Sequence, residues 1–195
     1  MLDALFRWWF RRKGWNLILP MPDEVYQKAV VIAAPHTTWW DILYTRAAFT
    51  MAGIPMRVTI ADKYAVWPIK RSLENMGAIW IDRSAPSKQG GRKSYVETMV
   101  EIFEQHPKIV TIVTPEGARS LRTKWKTGFY HVAKGAGVPI GLGYLDYAKK
   151  EAGIAKVVHT SDDMEADLGE IMEFYAPIKA KFPDLFSIDE RYAPY

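Results

Sequence analysis

Residues 29–53 read AVVIAAPHTTWWDILYTRAAFTMAG, and three regimes succeed one another in them. AVVIAA (29–34) is an unbroken apolar run of small and β-branched residues. A short run of this kind, with no polar alternation, is the pattern of a strand buried on both faces. Pro35 ends the run and stiffens the exit from it. A polar turn comes next, His36-Thr37-Thr38, and then WWDILYTRAAFTMAG reads as a helix that stops at Gly53. A buried strand delivered into a helix is the building unit of α/β layers around a largely parallel sheet.

The turn raises a chemical question, because Asp41 stands five positions after His36. On one continuous helix, residues five apart point about 140° away from each other. His36 is therefore expected in the loop before the helix, with Asp41 reaching back from the first turn. An imidazole takes a proton near physiological pH, and a carboxylate on its other nitrogen fixes the tautomer and stabilises the imidazolium. A lone histidine after a strand is more often a satisfied structural residue, so the remainder of the chain has to decide between the two.

Outward from this stretch the alternation continues. MRVTIA (56–61) reads as a second strand, and after it comes a mixed segment holding Lys63, Trp67 and Lys70. GAIWI (77–81) reads as a third strand, and RKSYVETMVEIFEQH (92–106) as a helix with Tyr95, Met99, Ile102 and Phe103 on one face. KIVTIVT (108–114) is the fourth strand, GFYHVAKGAG a glycine-closed helix, VPIGLGYLDY the fifth strand and IAKVVH (154–159) a sixth. An acidic amphipathic helix is expected from Asp162 to Lys179, and the tail after Pro183 reads as loop.

The chain has 195 residues, 49% hydrophobic and 25% charged, the profile of one folded domain with a sizeable core. It contains no cysteine, which excludes a disulfide framework, a thiolate metal site and a cysteine nucleophile. The net charge of +4 suits anionic partners: phosphate groups, nucleic acid or acidic lipid surfaces. No apolar run reaches the roughly 18 residues that span a bilayer. Arg7, Arg11, Arg12 and Lys13 interrupt or close the first apolar segment, so it does not read as a signal peptide and a cytoplasmic protein is expected.

The opening MLDALFRWWFRRKGW (1–15) reads as a short amphipathic helix stopped by Gly14, ahead of a main domain over 16–195. Leu2, Leu5, Phe6 and Trp9 share a face, with Asp3, Arg7 and Arg11 opposite, while Trp8 and Phe10 widen the apolar side. Aromatic bulk beside arginines is what an interfacial helix needs at a lipid surface. The alternative is that this face docks on the protein's own core.

The polar clusters fall at strand ends. His36 and Asp41 come after the first strand, Asp82 and Arg83 after the third, and PEGARS (115–120) after the fourth. Open parallel sheets bind ligands beyond the carboxyl ends of their strands, so parallel strands would gather these clusters at one edge. Arg83 and Arg119 suit a phosphate, since guanidinium forks bind oxyanions bidentately. Gly117 lets backbone approach a ligand closely, and Lys124 and Lys126 add positive field. Taken singly, Arg83 reads as a solvated charge and PEGARS as a turn feeding a helix. Other motifs fail: KQGGRKS (88–94) lacks the glycine spacing of a P-loop. His36, His106, His131 and His159 lack metal-ligand spacing, so no metal is expected.

At these residues the sequence resembles the PlsC-like glycerolipid acyltransferases, the lysophosphatidic acid acyltransferase group. His36-Thr37-Thr38-Trp39-Trp40-Asp41 is similar to the family's HX4D block and Gly77 to Arg83 to its GxxFIxR block. Glu116-Gly117-Ala118-Arg119-Ser120 is similar to EGTRS, and Val138-Pro139-Ile140 to the start of VPIxP. Four ordered blocks cover about 31–145. Thr38 stands for a serine, Trp80 for a phenylalanine, Ala118 for a threonine and Leu142 for a proline.

The resemblance implies a single-domain, mostly parallel sheet flanked by helices, as in glycerol-3-phosphate acyltransferases. It implies transfer of a fatty acyl group from acyl-CoA or acyl carrier protein to a hydroxyl of a lysophospholipid or glycerol-phosphate-like acceptor, without a cofactor. His36 would be the general base and Asp41 its orienter. Arg83, Glu116, Gly117, Arg119 and Ser120, joined by Lys63, would bind substrate, and an apolar tunnel would take the acyl chain. The short first helix implies peripheral association with the cytoplasmic membrane. Competing readings are a thioesterase-like hydrolase on the same fold and a non-catalytic basic module for lipid or nucleic acid.

Overall fold

The run AVVIAA lies in strand β2 (Lys28–Ala34), inside a seven-stranded sheet. The computed structural model describes residues 2–54, 56–61, 70, 71, 74, 77–81 and 93–194. The other strands are β1 (Asn16–Leu17), β3 (Met56–Ala61), β4 (Ala78–Ile81), β5 (Ile109–Val113), β6 (Ile140–Asp146) and β7 (Glu151–Val158). Their order across the sheet is β1-β7-β6-β2-β5-β3-β4. β6 and β7 pair antiparallel, and the remaining neighbours pair parallel. The mostly parallel, mixed sheet expected from the alternation is thus the one observed.

Among the elements whose bounds are described, five α-helices flank it: α1 (Leu2–Arg12), α2 (Trp40–Ala52), α3 (Tyr95–Gln105), α4 (Gly128–Ala136) and α5 (Met164–Tyr175). Their ends obey local chemistry. Gly53 closes α2 in the left-handed conformation, which costs glycine no Cβ clash. Ser94 and Glu97 form a reciprocal capping box at the start of α3, and Asp163 caps α5 by accepting the Ala166 N–H.

β2 is apolar on both faces because both are covered. Val30, Ile32 and Ala34 join a core with α3, α4 and α5, where Met99, Phe103, Tyr130, Leu168, Ile171 and Tyr175 are fully buried. Ala29 and Val31 face the opposite way, into a smaller cluster with Phe49 of α2. A third cluster joins Phe10 of α1 and Trp15 to Tyr44, Ala47 and Ala48 of α2.

Three expectations change in detail. β1 was not foreseen, because two residues carry no periodicity; it exists by pairing with Glu151 and Ala152 of β7. The expected sixth strand is longer and turns back antiparallel on β6 through residues 147–150. The loop-like tail is tied down: the buried Asp189 carboxylate accepts the Trp125 N–H at 2.9 Å and two guanidinium donors of Arg191, at 2.7 and 3.0 Å. The tail thereby fixes the segment just after PEGARS.

The first helix docks on the protein's own core and leaves part of its apolar side outside. Phe10 is buried, with Phe6 and Trp9 packed beside it, so α1 docks on α2. Leu5 and Trp8 stay outside at 58% and 60% exposure. The docking face is rotated from the expected stripe toward Phe10, because Trp15 and Tyr44 offer it rings at 5.9 and 6.2 Å.

Candidate active site

β2, β3, β4, β5 and β6 run in the same direction, so their carboxyl ends share one edge. His36 comes directly after β2 there, and Glu116 after β5. The two meet: the His36 backbone N–H donates to Glu116 Oε1 at 2.9 Å. Asp41, in the first turn of α2, reaches back as its spacing requires. Its Oδ2 lies 3.2 Å from His36 Nδ1 and accepts the backbone N–H groups of Thr37 and Thr38, each at 2.9 Å. A carboxylate only accepts, so this contact assigns the proton to Nδ1 and leaves Nε2 as the basic nitrogen. A negative group at a helix N-terminus is also favoured by the helix dipole.

Asp41 is 4% exposed, and its second oxygen is occupied as well. Tyr147, at the turn between β6 and β7, donates its hydroxyl to Oδ1 at 2.6 Å. The Tyr147 phenol is pushed above the usual tyrosine range by burial and then by its bond to Asp41, so it stays protonated and remains a donor. Tyr147 belongs to none of the four blocks. A tyrosine at the end of the fifth strand was the available signal.

Glu116 is 6% exposed. Burial raises its pKa to about 7, against the opposing pull of backbone hydrogen bonds, including the one from His36. Its Oε2 is buried without a hydrogen-bond partner among the described residues.

The remaining members of PEGARS form a more open rim. The turn closes with a Gly117 N–H donated to Thr114 O at 3.0 Å, and Gly117 takes a φ of +67°. The positive φ is what favours glycine there; a Cβ on Gly117 would stand 2.8 Å from Lys126 Nζ, the end of a flexible side chain that lies against the turn. The Arg119 guanidinium stacks over the Trp39 ring at 3.6 Å. Trp39 itself is 67% exposed, and Lys181 lies 5.4 Å from the neighbouring Trp40 ring. Trp39 is thus a second residue whose part the spacing did not reveal. Ser120 is exposed. Arg83 and Lys63 lie outside the described residues. Among the described residues no group of three or more metal-ligating side chains gathers.

A cavity of about 390 Å³ is lined by His36 and Asp41 and continues along the α2 face of the sheet. Val31, Ala33, Ala48, Phe49, Ile112 and Leu145 line it with apolar surface. Phe49 is eight residues beyond Asp41 on α2, roughly 12 Å along the helix axis by its rise.

A parallel-sheet domain with a carboxylate-oriented imidazole at its carboxyl edge, opening on an apolar cavity, has the equipment of an enzyme acting on a ligand with a hydrocarbon part. A family model described as Acyltransferase matches residues 19–141, more than half of the chain, and the protein belongs to this family of PlsC-like glycerolipid acyltransferases. The match spans β2, the His36–Asp41 turn and PEGARS. No curated protein and no solved structure matches the chain.

Proposed function

We propose that the protein transfers a fatty acyl group from acyl-CoA or acyl carrier protein to a hydroxyl of a lysophospholipid or glycerol-phosphate-like acceptor. The observation that carries this reading is the apolar cavity meeting the His36–Asp41 pair. His36 Nε2 takes the proton of the acceptor hydroxyl as its oxygen attacks the thioester carbonyl. The C–S bond then breaks, and His36 returns the proton to the leaving thiolate. The acyl chain lies in the cavity, where its burial supplies binding energy at about 25 cal/mol per Å² of apolar surface.

The acceptor's phosphate is held by Arg119, with Gly117, Ser120 and Lys126 around it and Arg83 and Lys63 completing the set. Trp39 stacks on one face of the Arg119 guanidinium, which leaves the edge donors of that group for an oxyanion. Glu116 serves the acceptor site through the backbone of His36.

The protein works at a membrane surface. Leu5 and Trp8 are exposed on a helix that also carries Arg7, Arg11 and Arg12, the composition of an interfacial segment. No helix among the described residues is long and apolar enough to cross a membrane. Co-sedimentation with anionic phospholipid vesicles tests this: the double variant Leu5→Ala, Trp8→Ala is expected to bind at least tenfold more weakly, and equal binding refutes the role of α1.

Thiol release from palmitoyl-CoA, measured with and without lysophosphatidic acid, tests the reaction. Release that needs the acceptor supports transfer. Acceptor-independent release supports hydrolysis, and none supports binding only. His36→Ala is expected to lower turnover about 10²-fold or more with folding intact; near-normal turnover would overturn the base assignment.

A further inference from the structure

Acyl transfer by His36 draws on one oxygen of Asp41, and the other oxygen is engaged by a residue still without a role. We propose that Tyr147 is a positioning residue of the acyl-transfer site, its hydroxyl fixing the Asp41 carboxylate and, through it, the His36 ring. The proposal rests on His36 being the base.

The contacts to His36, Thr37 and Thr38 all fall on Oδ2. Contacts on a single oxygen leave the carboxylate free to swing about that point. A donor on Oδ1 removes the swing, and the Tyr147 hydroxyl at 2.6 Å is the one hydrogen-bond partner of Oδ1 among the described residues. Without it, an oxygen of a buried carboxylate is left unsatisfied.

Tyr147 is itself held from several sides, as a positioning group must be. Its backbone N–H donates to Lys179 O at 2.9 Å. Its ring meets Trp15 edge-on at 4.9 Å and Tyr44 edge-on at 6.0 Å. Trp15 and Tyr44 lie 4.3 Å apart, and both pack against Phe10 of α1. The phenol is therefore braced by the same aromatic pack that seats the first helix. Tyr147 is 106 residues from Asp41, so only the folded chain brings them together.

The test compares Tyr147→Phe, Asp41→Ala, the double variant and His36→Ala, in the full chain, with palmitoyl-CoA and lysophosphatidic acid. Phenylalanine keeps the ring and removes only the hydroxyl. Tyr147→Phe is expected to lower kcat about tenfold, the scale of one hydrogen bond to a charged group, with KM for both substrates within about twofold. In the Asp41→Ala background the same change is expected to alter kcat less than about twofold, because the group it orients is gone. Melting curves check that each variant is folded, and if Asp41→Ala does not fold, the kcat-against-KM split of Tyr147→Phe decides alone. An unchanged kcat, a loss confined to KM, or equal losses with and without Asp41 would overturn the proposal. Near-normal turnover in His36→Ala brings down the base assignment instead, whereas an inactive His36→Ala beside a fully active Tyr147→Phe removes only the role of Tyr147.

Discussion

The two faces of the sheet are built from the same strands and packed to opposite ends. On one face α3, α4 and α5 close a core in which Phe103, Tyr130, Ile171 and Tyr175 have no room to spare. On the other, α2 lies over the sheet with α1 laid against it, and a cavity of about 390 Å³ remains between helix and strands. β2 supplies both, with Val30 in the filled core, Val31 and Ala33 on the open side, and Ile32 belonging to the core while also lining the cavity. Side chains lining a cavity have fewer packing partners than those in a filled core, so the three-helix face is the more closely packed one and the open face has room for a ligand. The His36–Asp41 pair stands where the open face meets the carboxyl edge.

Three changes test this division. The largest effect is expected from Phe103→Ala on the filled face. It should cost about 3–5 kcal/mol of unfolding free energy while leaving the kcat of the folded fraction unchanged, read by denaturant melts beside turnover. A loss of turnover larger than the loss of folded protein would break the separation between the faces.

Glu116, at the edge between them, is next. Its folded pKa of about 7 lies above the ordinary 4.5 because burial disfavours the charge. A carboxyl raised in this way contributes stability that is complete below its unfolded value and is lost as pH rises through about 7. The interval corresponds to about 3 kcal/mol. Glu116→Gln retains an oxygen for the His36 N–H and has no charge to bury. It is expected to melt with the wild type near pH 5 and above it near pH 8, and a difference that does not vary with pH would contradict the buried-carboxyl account.

The smallest effect on stability belongs to Ala48→Phe, which adds a ring where space exists. It should cost about 1–3 kcal/mol of folding free energy at most but lower turnover with palmitoyl-CoA at least tenfold relative to a short-chain donor. Equal losses for both donors would mean that the acyl chain lies elsewhere.

The sequence exposed what depends on near neighbours. The apolar run 29–34, the glycine stop after α2 and the capping residues of α3 are legible because strand period and helix caps are settled within a few residues. The His36–Asp41 contact is legible for the same reason, since five residues suffice for a first-turn carboxylate to reach the loop before it. The meeting of His36 with Glu116 could be expected once parallel strands were inferred, because parallel order brings their carboxyl ends together. The bond that realises it, a buried carboxylate oxygen on a backbone N–H, could not. Trp39 under Arg119 was hidden likewise: a tryptophan beside a strand reads as core until its exposure is known.

By itself, then, the chain determined its alternating elements, its parallel sheet and the residues capable of proton transfer and phosphate pairing, because these arise from local periodicity and from side-chain chemistry. Only the tertiary structure decided which face stays unfilled, that Phe10 rather than Leu5 anchors the first helix, and that Tyr147 holds the far oxygen of Asp41. Those outcomes depend on contacts between residues far apart in the chain, where packing in three dimensions chooses among partners that spacing along the chain leaves equivalent.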